Sequence, residues 1–324
     1  MPSIRSRSST GADSSTRGFF LLLVCWTGIS ATAAYMRHRS ERPDLRQRIG
    51  ATLVEWGQSV DGLAATVPEE EVHRHVELLW SPNGEERVRA AWWLGERGVR
   101  QAGPQIAAAM ADGGTLRPCQ LAHNLGKLGD DRWIGQLIEA SRHPTNLDLR
   151  VCATDALGDL SSTRAIDGLI DVYRRDLAAV SALEALGTIA EPGTLPFLRS
   201  VAEHPRNKIE QQRALRAIER AQIMAQADPV PALIRRVEDS ARGRFLDDWA
   251  VRKLVHRGDD RAVSVFAQAI GRHNLSEDDQ IMLAAALLTL GKPGMTALRN
   301  AAASGPALLV AQEAISWSQQ AVAR

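Results

Sequence analysis

A tripeptide ending in Leu-Gly returns along this chain at intervals close to thirty residues, and few folds are compatible with that constraint. It occurs as Trp93-Leu94-Gly95, Asn124-Leu125-Gly126, Ala156-Leu157-Gly158 and Ala185-Leu186-Gly187, with the leucines 31, 32 and 29 residues apart. Seven residues after each leucine, at Gln101, Arg132, Arg164 and Gly193, the chain restarts into a second apolar run entered at Ile106, Ile134, Ile166 and Leu195. A fixed period of this length means a stack of supersecondary units. Weaker copies at Ile218, Leu254 and Leu287 bring the expected number of units to seven, each reading as helix, turn, helix.

The third unit shows why both halves are helical. Leu149, Ala153, Ala156, Leu157 and Leu160 recur at helical spacing and make one apolar face, while Asp155 and Asp159 lie off it. Gly158 sits in the last turn, where a missing side chain lets a neighbouring helix approach. Ser161-Ser162-Thr163 then offers N-capping groups for a second helix through Ile166, Leu169, Ile170, Val172 and Tyr173. Pro104, Pro196 and Pro231 fall near the starts of second helices, where an absent N–H costs little. Aromatic residues are 5% of the chain and hydrophobic residues 44%, a composition suited to closely packed helices. Neither helix of a pair buries its apolar face alone, so the pairs must stack.

The pattern resembles the short HEAT-like repeats of the phycobilisome-lyase type. Leu149-Arg150, Ala153, Ala156-Leu157-Gly158, Leu160 and Arg164-Ala165 match that repeat, as do Leu94-Gly95, Leu125-Gly126, Leu128, Asp130 and Arg132. The resemblance implies an all-α fold, an α-solenoid (α-α superhelix) of about seven HEAT-like helix pairs, and says little about function, since such repeats serve scaffolds and enzymes alike. The expected organisation is a basic tail over 1–18, an apolar helix over 19–36, juxtamembrane and capping helices over 37–84, the repeat array over 85–305 and a closing helix over 306–324. Two helices, Leu45 to Gly57 and Pro68 to Trp80, are expected to cap the array.

The segment from Phe19 to Met36 follows a tail carrying Arg5, Arg7 and Arg17. It reads as a single-pass membrane anchor, with export after cleavage near Ala33 as the alternative. Residues 1–48 hold eight Arg against Asp13, Glu41 and Asp44, so a formal charge of +1 for the whole leaves the remainder at about −4. Such a body does not attract a phosphate backbone, and no nucleic-acid partner is expected.

No catalytic constellation is legible. The deoxyhypusine hydroxylase branch of the HEAT-like family holds di-iron on His-Glu dipeptides, and none of the eight histidines here precedes Glu. No Walker loop, GxSxG or HExxH occurs. Cys25, Cys119 and Cys152 lack CxxC spacing, and Cys119 and Cys152 are expected to be unlinked, because facing helices stand roughly 8–10 Å apart. The expected function is a non-enzymatic interaction scaffold at a membrane, without metal or cofactor, that binds a protein partner. The alternative is a lyase-like or ligand-handling enzyme of the bilin-lyase kind. Candidate partner-binding residues are Trp92 beside Trp93, and Asp167, Asp171, Arg174, Arg235 and Arg236 on second helices. Residues two before each repeat leucine, among them His123, Asp155, Glu184, Arg216 and Arg252, form a charged ridge.

Overall fold

The computed structural model describes residues 44–56, 67–112, 118–243, 245–303 and 307–322. Among them are seventeen helices and no strand. They run α1 (Leu45–Glu55), α2 (Glu69–Leu78), α3 (Gly84–Glu96), α4 (Gly103–Ala111), α5 (Pro118–Lys127), α6 (Ile134–Ser141), α7 (Leu147–Asp159), α8 (Ile166–Arg174) and α9 (Ala179–Ile189). After these come α10 (Leu195–Glu203), α11 (Lys208–Met224), α12 (Val230–Arg242), α13 (Asp248–Arg257), α14 (Ala262–Ile270), α15 (Glu277–Thr289), α16 (Gly291–Ala303) and α17 (Leu308–Val322). The expected membrane segment at 19–36 and the cleavage site near Ala33 lie outside the described residues. Among the described residues no helix is long and apolar enough to cross a membrane, so the expected single-pass anchor is not supported there.

Each unit is a first helix, a short turn and a second helix. Polar caps start the first helices: the Asn146 side chain accepts from the Leu149 amide at 2.9 Å, Asn207 from Glu210 at 2.9 Å, and Asp247 from Ala250 at 3.1 Å. Second helices are entered through single 3₁₀ turns at Arg100–Ala102, Asp131–Trp133, Thr163–Ala165 and Pro192–Thr194. Ser162 does not cap its helix as expected. Its hydroxyl donates to Asp131 Oδ2 at 2.7 Å, tying the third unit to the second.

The glycine after each repeat leucine governs the stacking. A Cβ on Gly126 would stand 2.9 Å from the Ala156 Cα, one on Gly158 2.9 Å from Ala185, and one on Gly187 3.1 Å from Ala217. The first helices α5, α7, α9 and α11 therefore touch almost backbone to backbone, while the second helices are more weakly joined. That closeness corrects the expectation for the cysteines. Cys119 and Cys152 are disulfide-bonded with their Cα atoms 5.2 Å apart, well inside the assumed interhelical distance.

The interior is not one continuous core. Most buried apolar residues from Val72 to Ala217 form one cluster, those from Val230 to Ala314 with Ala190 form another, and Val172, Ala178 and Ala182 make a small third. Helix α11 packs on α9 and α10, whereas α12 packs on α13 and α14, so the fifth unit is where the cores part. Two side chains of α13 bind across the break: Trp249 Nε1 donates to the Thr188 carbonyl at 3.0 Å and Lys253 Nζ to the Ile189 carbonyl at 3.0 Å, closing the C-terminal end of α9.

Helix α2 packs on the first repeat, with His75 stacked on Trp93 at 3.8 Å between ring centroids. Helix α1 behaves differently. Its Ile49, Leu53 and Trp56 belong to the C-terminal core, and it packs on α15 and α17 as well as on α3 and α5. It thus links the first repeats to the last.

Candidate functional site

The residue following each Leu-Gly pair sits at the end of a first helix on the side where α1 lies. In successive repeats these residues are Glu96, Lys127 and Asp159. Between Glu96, Lys127 and α1 lies a cavity of about 180 Å³ whose charged lining is Arg48, Glu55, Glu96, Lys127, Arg252 and Asp278, with Trp56, Ile281 and Met282 as its apolar part; Asp159 is not on its wall but lies in the field of Glu55 and Arg252. We refer to this side of the first helices as the inner face.

Local backbone geometry fixes the end of α1 there. Arg100 Nη2 donates to the Val54 carbonyl at 3.0 Å and its Nε to the Leu128 carbonyl at 3.1 Å. Gly129, at φ +59°, lies so close that a Cβ would meet the Val54 oxygen at 2.4 Å. No other residue type fits that turn without strain. Glu55 then pairs with Arg252 of α13 at 2.5 Å, Lys127 pairs with Glu96, and Arg48 pairs with Glu277 and Asp278.

The electrostatics centre on Asp159. Burial, reinforced by the neighbouring Glu55 carboxylate and opposed by Arg252, pushes its carboxyl up to about 7. Asp155, one turn earlier, is also raised, first by partial desolvation and then by Glu184, against a hydrogen bond with Ser181. Burial works against the charge of Arg252, but Glu55, Asp159 and Asp248 outweigh it and hold the guanidinium firmly protonated. Lys253 is lowered to about 8 by burial and by the adjacent cations Arg220 and Arg252. His123 is lowered by burial and then by Lys127. A carboxyl raised towards neutrality in the field of the Glu55–Arg252 pair is a group able to exchange a proton with a ligand held by the neighbouring cations. Among the described residues no group of His, Cys, Asp and Glu is arranged to hold a metal ion.

The residues singled out from sequence lie elsewhere, and none of the six lines the cavity. Trp92 is half-buried on α3, and its neighbour Trp93 makes the stack with His75. On α8, Asp167 and Arg174 are exposed, and Asp171 pairs with Arg142 at 2.8 Å and Arg175 at 2.9 Å. On α12, Arg235 is exposed, and Arg236 pairs with Asp247 at 2.8 Å and Glu219 at 2.5 Å. The α8 and α12 residues belong to helices of different cores. Of the expected ridge, Arg252 does reach the cavity. The signal that sequence reading passed over is the charged residue one place after the repeat glycine, which keeps the same register in three consecutive units.

Residues 86–112, spanning most of α3 and all of α4, match the model of the PBS lyase HEAT-like repeat. The chain is built of HEAT-like repeats. No curated protein matches it. This HEAT-like array is similar to the complex of CpcE and CpcF of phycocyanin lyase from Nostoc sp. PCC7120, at 21% identity over 77% of this chain and 95% of that one, with a TM-score of 0.47. It is also similar to human deoxyhypusine hydroxylase in complex with glycerol, at 20% identity over 81% of this chain and 100% of that one, with a TM-score of 0.36. The repeat matched at residues 86–112 is named for a lyase, which corrects the expectation that the chain is not an enzyme.

Proposed function

We propose that the protein is a ligand-handling enzyme of the lyase-like HEAT type whose working groups are Asp159, Glu55 and Arg252 on the inner face. The observation that carries this reading is the Glu55–Arg252 pair on the wall of a cavity that also holds Arg48 and Lys127, with the Asp159 carboxyl in its field pushed up to about 7. A group poised there serves as acid or base at neutral pH, and its environment is costly unless it is used. The cavity of about 180 Å³ is below the roughly 300 Å³ at which sites for drug-sized molecules begin. It suits one carboxylate arm of a larger ligand that lies along the first helices, with Arg48, Lys127 and Arg252 as the cations that receive it.

An open-chain tetrapyrrole, a dicarboxylate of the kind the lyase-like repeats imply, is the ligand class we favour. A protein that accepts the ligand belongs to the same reading, and the exposure of Asp167, Arg174 and Arg235 supports them as its contacts. The test is titration of the full chain with a free bilin, followed by absorbance and fluorescence. The expected outcome is a saturable spectral change that Arg252→Ala weakens at least tenfold, and a loss of that change on Asp159→Asn at pH 6 but not of helix content. A bilin spectrum indifferent to the protein, together with no chromophore in preparations of the native chain, would rule the reading out.

A further inference from the structure

We propose that Arg220 of α11 and Lys253 of α13 form an anion-binding subsite at the seam between the two main cores, which receives a carboxylate or phosphate group of a ligand lying along the inner face. The stacking register places Arg220 there. Asn124, Ala156 and Ala185 each face the glycine of the preceding unit, and the third residue after each of them is Lys127, Asp159 or Thr188 on the inner face. Ala217 is the next of that series, 3.1 Å from where a Cβ on Gly187 would stand. The third residue after it is Arg220, which extends the row Glu96, Lys127, Asp159 and Thr188 by one unit. The row therefore ends on a cation.

Trp249 fixes the position of that cation. The indole is 2% exposed, its Nε1 is engaged by the Thr188 carbonyl, and the Arg220 guanidinium lies over its ring at 5.0 Å from the centroid. Arg236 also approaches the ring, at 5.6 Å, but its guanidinium is taken up by Asp247 and Glu219. Arg220 has no such partner: among the described residues it makes no ion pair and donates no hydrogen bond. A guanidinium held over an aromatic ring keeps its N–H fork for an acceptor, and the paired oxygens of a carboxylate or phosphate match that fork. Lys253 brings an ammonium of three donors. One is engaged by the Ile189 carbonyl at 3.0 Å, and among the described residues Lys253 makes no ion pair either.

Both side chains are half-buried, so solvent reaches them while little compensates their charge. Burial lowers the Arg220 guanidinium from its ordinary value; Asp247 and Asp248 pull the other way, and Arg236 and Arg216 oppose them. Lys253 is lowered by burial and then by Arg220 and Arg252, with Glu191 alone working against them. An oxyanion between Arg220 and Lys253 offsets the repulsion of two cations brought together where water is partly excluded. The subsite depends on α11 and α13 and not on Asp159, so its test can fail while the bilin titration succeeds, and the reverse.

The test is trace labelling of the full chain by an amine-reactive succinimidyl ester near pH 8, where the Lys253 amine titrates, with peptide mass analysis of each lysine. Inorganic phosphate or acetate replaces chloride at constant ionic strength. Lys208 and Lys292, both exposed, serve as references. The expected result is that one or both anions slow the labelling of Lys253 severalfold and leave the references unchanged. Arg220→Gln, with unchanged circular dichroism, is expected to raise the half-protecting concentration about tenfold, the size of a lost hydrogen bond to a charged group. Stronger protection by phosphate supports a phosphate-bearing ligand, and stronger protection by acetate a carboxylate-bearing one. Labelling of Lys253 at one rate in chloride, phosphate and acetate, or slowed no more than that of Lys208 and Lys292, overturns the subsite in the native chain without recourse to a variant. Protection that survives Arg220→Gln undiminished overturns the part given to Arg220.

Discussion

Asn124 occupies the place that alanine takes in the repeats after it, facing the glycine of the preceding unit. A Cβ on Gly95 would stand 2.3 Å from Asn124 Oδ1, and the amide is fully buried with neither of its polar atoms hydrogen-bonded. A buried polar group left without partners costs about 1–3 kcal/mol. Asn124→Ala is expected to raise stability by about 1 kcal/mol, read as a higher urea midpoint at unchanged slope. Asp159 sets a second cost, and its sign follows from the raised carboxyl. The folded protein holds this proton up to about 7, against 3.8 as the ordinary value, so the stabilisation is complete below about 4 and is lost as pH rises through 7. Asp159→Asn is therefore expected to melt higher than the native chain at pH 8 and no higher at pH 4, in a series of melts across that range. A residue that weakens the resting fold at neutral pH is what a working site retains. Sequence alone placed Asp159 off the apolar face of its helix but did not show Glu55, distant in the chain, coming to meet it.

Helix α2 shows how an end element is held. Its Val72 and His75 are buried, His75 lies flat on Trp93, and Arg97 covers the same indole at 4.3 Å from its centroid. Burial lowers the His75 imidazole below its ordinary 6.5, with Arg74 and Arg97 adding to the effect against the pull of Glu71. For a histidine lowered in this way the stabilisation is present above 6.5 and is lost as pH falls below it, because only the unfolded state takes the proton freely. Hydrogen exchange in α2 is expected to quicken between pH 6.5 and 5 while α7 and α9 stay protected, and His75→Phe is expected to remove that difference. The element was legible in the sequence as a helix with an acidic start. The adjacent tryptophans were read with the emphasis on Trp92, because periodicity gives a face but not the neighbour that covers it.

At the scale of the molecule, two cores meet at α11 and α13, and α1 spans both ends of the array. Nearest-neighbour coupling predicts that damage to one core stays within it, except through α1. Phe266→Ala, which opens a hole of ring size in the C-terminal core, is expected to cost about 3–5 kcal/mol. Hydrogen exchange should then rise in α1, α13 and α15 while α5, α7 and α9 keep their protection. Protection lost equally across α5 to α9 would show one cooperative core instead. The amino-acid sequence by itself determined the helices, their pairing and the close seam of first helices. Those depend on contacts within one period of about thirty residues, and the 3.6-residue pattern and the glycine after each leucine record them directly. Tertiary structure alone decided where α1 goes, that Cys119 meets Cys152, that the core divides, and that Glu55, Asp159 and Arg252 share one site. The disulfide depends on how closely two neighbouring helices approach, and the others on how small rotations between successive repeats add up; no local pattern in the sequence carries either quantity.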